Sequence, residues 1–480
     1  MKVMFVVPNF RPVWFRRPQH PHNGIAYLAA MLKQHNIKVK ILDMQLGYNF
    51  SDLFNFLSFF DPDVVGITSY SHLYKEAYEV AREVKSFGNY KVVFGGVHVS
   101  AVRGEVLHMS EADFAVKGEG EYTLLELCKE IEVGSRNYGK ITGLIWKNSG
   151  KVIENIDRPF IQDLDSLPFP AYEEFELEKY LGYKNRSLPL TTSRGCPYGC
   201  TFCSVKSLMG TLRARSAENV INEIKHWYEK GYNNFEIYDD NFSLGMKRAK
   251  RICDLIVEEG LNITYQFNNG LRLDRVDEEL LSKLKSSGCT YIQYGIEAGN
   301  EEILKGIKKG ITPEQARKAI ELTNKIGIKN GVNFIIGHPG ETFEKAMDSV
   351  KLAETLPTDT VNFFALVPFP RTEALEWVKE HATFLYPPEI YLNDITISTR
   401  KPVFETKEFS AEERIKVLRK GVLLHRKKSL EGILGKRLAN LVLHVAKHDL
   451  LWQGFEDIFY GTKIGQKILE YTRRVRTGIR

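Results

Sequence analysis

The sequence has no long hydrophobic run. None of its apolar stretches approaches the roughly 20 residues that a membrane-spanning helix needs. The first ten residues, MKVMFVVPNF, form a short apolar run that is followed by the basic RPVWFRR, and this pattern predicts a buried strand rather than a signal peptide. We therefore expect a cytoplasmic protein without a membrane span.

Cysteine is scarce, with six in 480 residues. Three of them, Cys128, Cys253 and Cys289, are scattered singly, which is poor material for a disulfide framework and normal for a reduced compartment. The other three lie within eight positions, in TTSRGCPYGCTFCSV at residues 191–205.

Charge of one sign is not in large excess. The net charge is +6, and 43% of the residues are hydrophobic, as in ordinary globular proteins. Residues 411–480 hold 16 Lys and Arg against 7 Asp and Glu, so the basic surplus lies in the tail. It is interpreted either as a solvated helical face or as a surface for an acidic partner or lipid headgroups. With no added RNA-binding domain visible, a nucleic-acid partner is not expected.

The first part of the chain alternates between short β-rich runs and helical segments. The predicted strands are residues 2–7, 38–42, 64–68, 91–94 and 113–116. This alternation predicts a doubly wound, Rossmann-like α/β domain over residues 1–137. Small or polar residues follow three of the strands, in ITSYSH, FGGVHVS and VKGEGEY, which indicates a ligand at their carboxyl ends.

Three further regions follow along the chain. Residues 138–187 predict a hairpin, turning at 148–150, and a proline-containing linker. Residues 188–400 contain six strand-helix units, which predict a partial (β/α)6 TIM-like barrel with functional groups at the carboxyl ends of its strands. Residues 401–480 are helical by pattern and predict a C-terminal helical domain.

Cys196, Cys200 and Cys203 form a C-x3-C-x2-C motif in a glycine-rich loop after the first barrel strand. A structural zinc site has four ligands, usually from two cysteine pairs, and the sequence holds no second pair. A disulfide would leave one odd thiol. A 4Fe-4S cluster held by three thiolates would leave one iron open for a ligand. The residues favour the cluster, with zinc and a disulfide as weaker alternatives.

With the aromatic Phe202 directly before the last cysteine, the motif resembles that of the radical S-adenosylmethionine (SAM) enzymes. The resemblance implies that SAM binds the open iron and is cleaved to a 5′-deoxyadenosyl radical. It also implies that Asp239 or Asp240 holds the SAM ammonium group, that Glu297 holds the ribose hydroxyls, and that backbone near Phe202 and Gly337 receives the adenine.

One side chain near these positions keeps two alternative interpretations. Lys309, in GIKKGIT, pairs with the SAM carboxylate or is a surface lysine. The remaining strand-end residues, Asn241, Pro339 and Glu341, belong to YDDNF and FIIGHPGET and have no assigned role.

The N-terminal domain, placed directly before such a barrel, resembles the cobalamin-binding domain of cobalamin-dependent radical SAM enzymes. The D-x-H-x-x-G motif that supplies an axial histidine in other cobalamin-binding domains is absent, and neither His20 nor His22 stands in that pattern. The lower face of cobalt is then either open to water or covered by a side chain, for which Tyr70 and His72 are the candidates. The full set of predicted cobalamin-binding residues is Ser69, Tyr70, His72, Gly95, Gly96, Gly118 and Glu119.

The resemblance implies a methyltransferase that acts on an unactivated carbon, with a 4Fe-4S cluster, SAM and cobalamin as cofactors and a ferredoxin or flavodoxin as electron donor. The substrate is left open between a peptide or protein, a lipid-like molecule and a tetrapyrrole. Non-methylating radical chemistry, such as cyclisation, ring contraction or oxidation, and RNA modification remain alternatives. An iron-sulfur or corrinoid carrier is the non-enzymatic alternative.

Overall fold

The computed structural model describes residues 1–9, 18–393 and 401–446, and side chains as far as residue 431. The basic tail at 447–480, and with it much of the predicted C-terminal helical domain, lies outside the described residues. No helix in the described ranges is long and apolar enough to cross a membrane.

The first sheet has seven strands in the order β2-β1-β3-β4-β5-β6-β7, of which β1 to β5 are parallel. The strands are β1 (Lys2–Val7), β2 (Lys38–Asp43), β3 (Val64–Thr68), β4 (Lys91–Gly95), β5 (Phe114–Val116), β6 (Leu144–Asn148) and β7 (Lys151–Glu154). The helices between them are α1 (Asn23–Gln34), α2 (Phe50–Phe60), α3 (Tyr74–Phe87), α4 (Val97–Val102), α5 (Glu105–His108) and α6 (Glu121–Val133).

The hairpin of β6 and β7 belongs to this sheet, although the sequence placed it in a separate linker region. β6 pairs antiparallel with β5, in a register that sets Trp146 opposite Phe114. Its first residues, Leu144 and Ile145, are fully buried, so the hairpin covers an edge of the sheet that would otherwise expose unpaired backbone groups.

The second sheet has six parallel strands in the order β15-β14-β13-β12-β11-β8, an open barrel wound in sequence order. Its elements are β8 (Ser187–Leu190), α8 (Ala217–Glu229), β11 (Asn234–Ile237), α9 (Met246–Glu258), β12 (Thr264–Leu271), α10 (Glu278–Ser286), β13 (Cys289–Glu297), α11 (Glu301–Gly306), α12 (Pro313–Ile326), β14 (Lys329–Ile336), α13 (Phe343–Thr355) and β15 (Thr360–Ala365). Inserted after β8 are β9 (Ser193–Arg194), α7 (Val205–Met209) and β10 (Arg213–Ala214).

Local sequence signals place these elements. For example, α12 begins with a capping box of Thr312 and Gln315, has Pro313 in its first turn and ends at Gly327 in a left-handed conformation. The chain then forms α14 (Glu373–His381), β16 (Thr383–Phe384), α15 (Pro388–Tyr391), β17 (Phe404–Glu405) and the long α16 (Ala411–Ala446).

One continuous cluster of buried apolar side chains runs through both sheets, from Val3 in β1 to Leu424 in α16. The two sheets are therefore parts of one packed body. The predicted fold, a Rossmann-like domain followed by a partial barrel and a C-terminal helix, is confirmed.

Candidate active site between the two sheets

The three clustered cysteines lie on one short loop between β9 and α7. Gly195 begins the loop at a φ of +84°, and a Cβ there would lie 2.4 Å from the carbonyl oxygen of Thr211, so only glycine fits this departure from the strand. The backbone N–H of Cys203 donates to the carbonyl of Cys200 at 3.0 Å, which makes the end of the loop a tight turn. Cys196, Cys200 and Cys203 are all partly exposed.

The thiols have few protein partners. Asn241 Nδ2 lies 3.7 Å from Cys196 Sγ, and Cys200 Sγ lies 3.9 Å from the carbonyl oxygen of Lys308. Burial raises the pKa of the Cys203 thiol to about 11 and also raises the pKa of Cys200. Within the described ranges, no three His, Cys, Asp or Glu side chains converge closely enough for a single metal ion. Three thiols on one loop fit the donor set of a 4Fe-4S cluster with one open iron.

Asp239 and Asp240, predicted to hold SAM, follow β11 and contact the segment that leads into the cysteine loop. Asp239 is 2% exposed, and its carboxylate accepts hydrogen bonds from the backbone N–H and hydroxyl of Thr192, at 2.6 and 2.5 Å, and from the Ser193 hydroxyl at 2.6 Å. Asp240 accepts from the Gly195 N–H at 2.8 Å, and burial raises its pKa. The first carboxylate already accepts three hydrogen bonds from the protein, whereas the second also lines the cavity described below.

Glu297 and Lys309, which the sequence treated separately, pair with each other. Lys309 Nζ lies 2.9 Å from Glu297 Oε1, and both residues are 8% exposed, so Lys309 is not a surface lysine. Glu297 has a φ of +77° at a β-bulge of β13. A Cβ on Gly295 would lie 2.2 Å from Glu297 Oε1, so the glycine leaves room for the carboxylate to fold back over the strand.

Gly337 follows β14 at a φ of +106°. Its backbone N–H and that of His338 donate to Glu341 Oε2, at 2.6 and 3.1 Å. Burial raises the pKa of Glu341 to about 7. Arg414 of α16 lies over this turn, so closely that a Cβ on Gly337 would be 2.7 Å from its Nη1.

The His338 ring packs against Phe202 at 5.5 Å between centroids, which brings the turn after β14 to the aromatic residue of the cysteine loop. Among the described side chains, buried polar atoms without a hydrogen-bond partner occur here: Thr201 Oγ1, Asn241 Oδ1 and Glu341 Oε1. Buried polar groups are normally satisfied, so this group fits a polar ligand such as SAM.

A cavity of about 350 Å³ lies where the carboxyl ends of the two sheets face each other. From the first sheet it is lined by residues after β3, β4 and β5, including Tyr70, Gly95, Gly96, Gly118 and Glu119. From the second it is lined by residues flanking the cysteine loop, by a residue after β11 and by a residue within β12, including Ser193, Arg194, Met209, Asp240 and Asn269. A Cβ on Gly95 or Gly118 would meet nothing within 4 Å, so the backbone there is open to a bulky ligand such as cobalamin.

Two of the predicted cobalamin-binding residues do not line this cavity. Ser69 is fully buried, and its Oγ has no hydrogen-bond partner in the described part of the chain. His72 stacks on Tyr70 at 5.4 Å, behind it. Tyr70 itself contacts His22, whose Nε2 lies 2.8 Å from the Tyr70 hydroxyl.

His22 also caps helix α1, where its Nδ1 accepts the Ile25 N–H at 3.1 Å. Because Nδ1 accepts, Nε2 carries the proton of the neutral ring and donates to Tyr70. Burial lowers the pKa of His22 to about 4, which keeps the ring neutral. From the sequence alone His22 has no assigned role, because its partner Tyr70 follows β3 and is distant from it in the chain.

Glu119 joins the two sheets. It accepts hydrogen bonds from Arg194 Nη1 at 2.9 Å and Arg213 Nη1 at 2.7 Å, while Arg194 Nη2 lies 2.8 Å from Glu121. Arg194 immediately precedes the cysteine loop, so this ion-pair group ties the loop after β5 to the cluster loop. Sequence reasoning missed both arginines, since they resemble ordinary charged strand residues.

Comparison with known proteins agrees with this geometry. Residues 190–353 match the Radical SAM superfamily, and residues 16–128 match the B12 binding domain. An uncharacterised methyltransferase of Pyrococcus horikoshii is 36% identical over 436 residues, which cover 88% of this chain and 92% of the relative. The cytidylyl-2-hydroxyethylphosphonate methyltransferase of Streptomyces wedmorensis is 29% identical, covering 73% of this chain and 76% of the relative.

Solved structures share the fold. OxsB, a cobalamin-dependent SAM radical enzyme, has a TM-score of 0.76 at 18% identity and covers 98% of this chain and 75% of OxsB. TsrM of Kitasatospora setae, a radical SAM methyltransferase, has a TM-score of 0.69 at 21% identity and covers 80% of this chain and 79% of TsrM.

The fold and site thus define a cobalamin-dependent radical SAM enzyme, with a 4Fe-4S cluster, SAM and cobalamin as its cofactors. Within that class, the chain belongs to the cobalamin-dependent radical SAM methyltransferase family.

Proposed function

We propose that this enzyme methylates an unactivated carbon of a peptide, a protein or another complex substrate. The observation that carries the proposal is the shared cavity: residues on both sides of the cysteine loop and the open glycines after β4 and β5 line the same space. When bound, the cluster and SAM supply a radical that removes a hydrogen atom, and cobalamin supplies a methyl group. Methyl transfer to carbon requires these groups and the substrate to be close together.

Different residues of the protein are assigned to the cluster and to the parts of SAM. Cys196, Cys200 and Cys203 hold the cluster, and Phe202 with Gly337 borders the adenine. Asp240 lies in the cavity and is the better candidate of the two aspartates for the SAM ammonium group, because the three donors to Asp239 leave that carboxylate occupied.

The remaining assignments concern the charged pair and the corrin side. Glu297 offers its second oxygen to the ribose hydroxyls, while Lys309 fixes its first. Gly95, Gly96 and Gly118 would border the corrin when it is bound, and Tyr70, oriented by His22, would help to hold it. Glu119 acts by holding Arg194 and Arg213 rather than by contact with cobalamin.

The direct test is anaerobic reconstitution with methyl-labelled SAM, a ferredoxin or flavodoxin as electron donor, and mass spectrometry of the products. Formation of both 5′-deoxyadenosine and S-adenosylhomocysteine supports methyl transfer. Formation of 5′-deoxyadenosine alone would instead support non-methylating radical chemistry, as in the anaerobic magnesium-protoporphyrin IX monomethyl ester cyclase of Rubrivivax gelatinosus, which is 27% identical to this chain.

Cys200→Ala provides the matched control. We expect it to lose the cluster's absorbance and all 5′-deoxyadenosine formation but to bind cobalamin like the parent protein, because Cys200 does not line the cavity. Loss of corrin binding in this variant would show that the two sites do not assemble independently.

A further inference from the structure

The inner face of the barrel sheet is lined by uncharged polar side chains along β13, β14 and β15. In β14, Val332, Phe334 and Ile336 are at most 1% exposed and pack outward. The residue between the first two, Asn333, is partly exposed and faces inward, as does Asn362 in β15. Because side chains alternate along a strand, these amides lie on the face opposite the helices.

The amides are part of a hydrogen-bonded row. Tyr291 Oη lies 2.5 Å from Gln293 Oε1 and 2.8 Å from Thr360 Oγ1. Gln293 Nε2 and Asn362 Nδ2 both approach Asn333 Oδ1, at 2.8 and 3.0 Å. The row is therefore continuous across three strands.

Glycine makes this row possible. A Cβ on Gly331 would lie 2.1 Å from Tyr291 Oη, 2.3 Å from Thr360 Oγ1 and 2.5 Å from Gln293 Oε1. The side chains of Tyr291, Thr360 and Gln293 thus occupy the space in which a side chain at position 331 would lie. This packing orients Gln293 toward Asn333.

The row ends in two unused groups. In the described part of the chain, the amide nitrogen of Asn333 and the amide oxygen of Asn362 have no hydrogen-bond partner. Oxygen and nitrogen of an amide are assigned from such networks, so the opposite assignment must also be considered. If all three amides are reversed, the free groups become the oxygen of Asn333 and the nitrogen of Asn362. Either way, one free group is a donor and the other is an acceptor, on two amides that are hydrogen-bonded to each other.

We propose that this pair binds an amide group of the substrate, either a peptide bond or a side-chain carboxamide. An amide offers one acceptor and one donor, which match the pair in both assignments. A hydrocarbon chain would leave both groups unsatisfied, and a carboxylate has no donor for the free oxygen. The inference rests on the proposed function, because it assumes that the substrate enters this barrel.

The position of the pair suits such a substrate. Asn333 is paired in register with Gly295, two residues before Glu297, so the amide binds one layer below the residue assigned to SAM. The substrate class is thereby narrowed to peptides and other amides rather than lipids or tetrapyrroles.

The test measures binding of a small probe to the full, reconstituted chain by saturation-transfer difference NMR. The probe is N-acetylglycine N-methylamide, and its diester analogue, methyl acetoxyacetate, lacks both N–H donors. We expect the diamide to bind at least fivefold more tightly than the diester. Equal binding of the two, or no binding of the diamide, would overturn the proposal.

Variants locate the probe. Asn333→Leu and Asn362→Leu should each weaken diamide binding at least fivefold, and Asn333→Ala, which removes the amide in either assignment, serves where Asn333→Leu fails to fold. The matched control is Asn262→Leu, at an exposed position before β12, which should bind the diamide like the parent protein. Unchanged binding in the barrel variants would refute the site.

The proposed function and the amide site can be contradicted independently of each other. Formation of 5′-deoxyadenosine and S-adenosylhomocysteine, measured in the same preparations without probe, reports on the proposed function alone. Diamide binding without any 5′-deoxyadenosine would count against the radical reaction and leave the amide site standing, and the converse result would remove only the amide site.

Discussion

At the scale of single residues, Glu297 carries the most distinctive geometry. Its φ of +77° is a left-handed conformation that residues other than glycine rarely adopt. The bulge in β13 and the ion pair to Lys309 hold it there. Strained residues held in this way concentrate at functional sites, which supports the assignment of Glu297 to the SAM ribose.

We predict that Glu297→Ala binds SAM at least tenfold more weakly while retaining its iron. The variant loses the hydrogen bonds of a charged acceptor, which contribute about 1.5–3 kcal/mol, and leaves Lys309 without its partner. Equilibrium dialysis with labelled SAM and iron analysis measure the two effects. The control is Glu301→Ala at the exposed start of α11, and equal SAM affinity of both variants would contradict the role of Glu297.

Glu341 makes stability depend on pH. Its pKa of about 7 lies above the usual 4.5 because burial outweighs the hydrogen bonds from Gly337 and His338, which lower the pKa. The folded state therefore holds the proton more tightly than the unfolded state. The stabilisation is complete below pH 4.5 and is lost as the pH rises through 7.

We therefore compare the free energy of unfolding of the parent protein with that of Glu341→Gln at each pH. Between pH 4.5 and pH 8 we predict that the stability of the parent protein falls by about 3 kcal/mol relative to the variant. The figure follows because each pKa unit corresponds to about 1.4 kcal/mol. Denaturant titrations of both proteins at each pH give the difference, in which other titrating groups cancel. A constant difference across this range would mean that Glu341 titrates normally.

At the scale of elements, the strands were predictable and their inner faces were not. β1 and β3 are buried on both sides and appear in the sequence as unbroken apolar runs, as parallel strands do. In β14 the polar positions could equally have faced solvent, because alternation alone does not tell a barrel interior from a surface. Asp239 was placed correctly at a strand end, but its three donors could not be foreseen, since they come from a segment 46 and 47 positions away.

The glycine of β14 permits a sharp test of this inner face. We predict that Gly331→Ala lowers the free energy of unfolding by about 1–3 kcal/mol, the usual effect of overpacking, because Tyr291, Gln293 and Thr360 must all move. Gly306→Ala at the end of α11 is the control, since a Cβ there meets nothing within 4 Å. Chemical denaturation measures both, and equal stability of the two variants would contradict the packing described for β14.

At the scale of the whole molecule, two sheets formed by different regions of the sequence face each other at their carboxyl ends. The cavity has walls from both, so its shape depends on their relative position. Glu119 links the two sheets by accepting hydrogen bonds from Arg194 and Arg213, and all three residues are less than a fifth exposed. No sequence pattern signals such a link, because its partners are 75 and 94 positions apart.

We predict that Glu119→Gln destabilises the protein by about 3–5 kcal/mol and weakens cobalamin binding, because the buried Arg213 guanidinium loses its counter-charge and Arg194 keeps only its ion pair with Glu121. The control is Glu126→Gln, which breaks the partly exposed pair with Arg158 and should cost about 1 kcal/mol or less. Denaturant titration gives the stabilities, and corrin absorbance after gel filtration gives the cobalamin bound. Full cobalamin binding by a folded Glu119→Gln protein would show that the cavity keeps its shape without this link, and that the hydrophobic contacts between the sheets alone hold them in register.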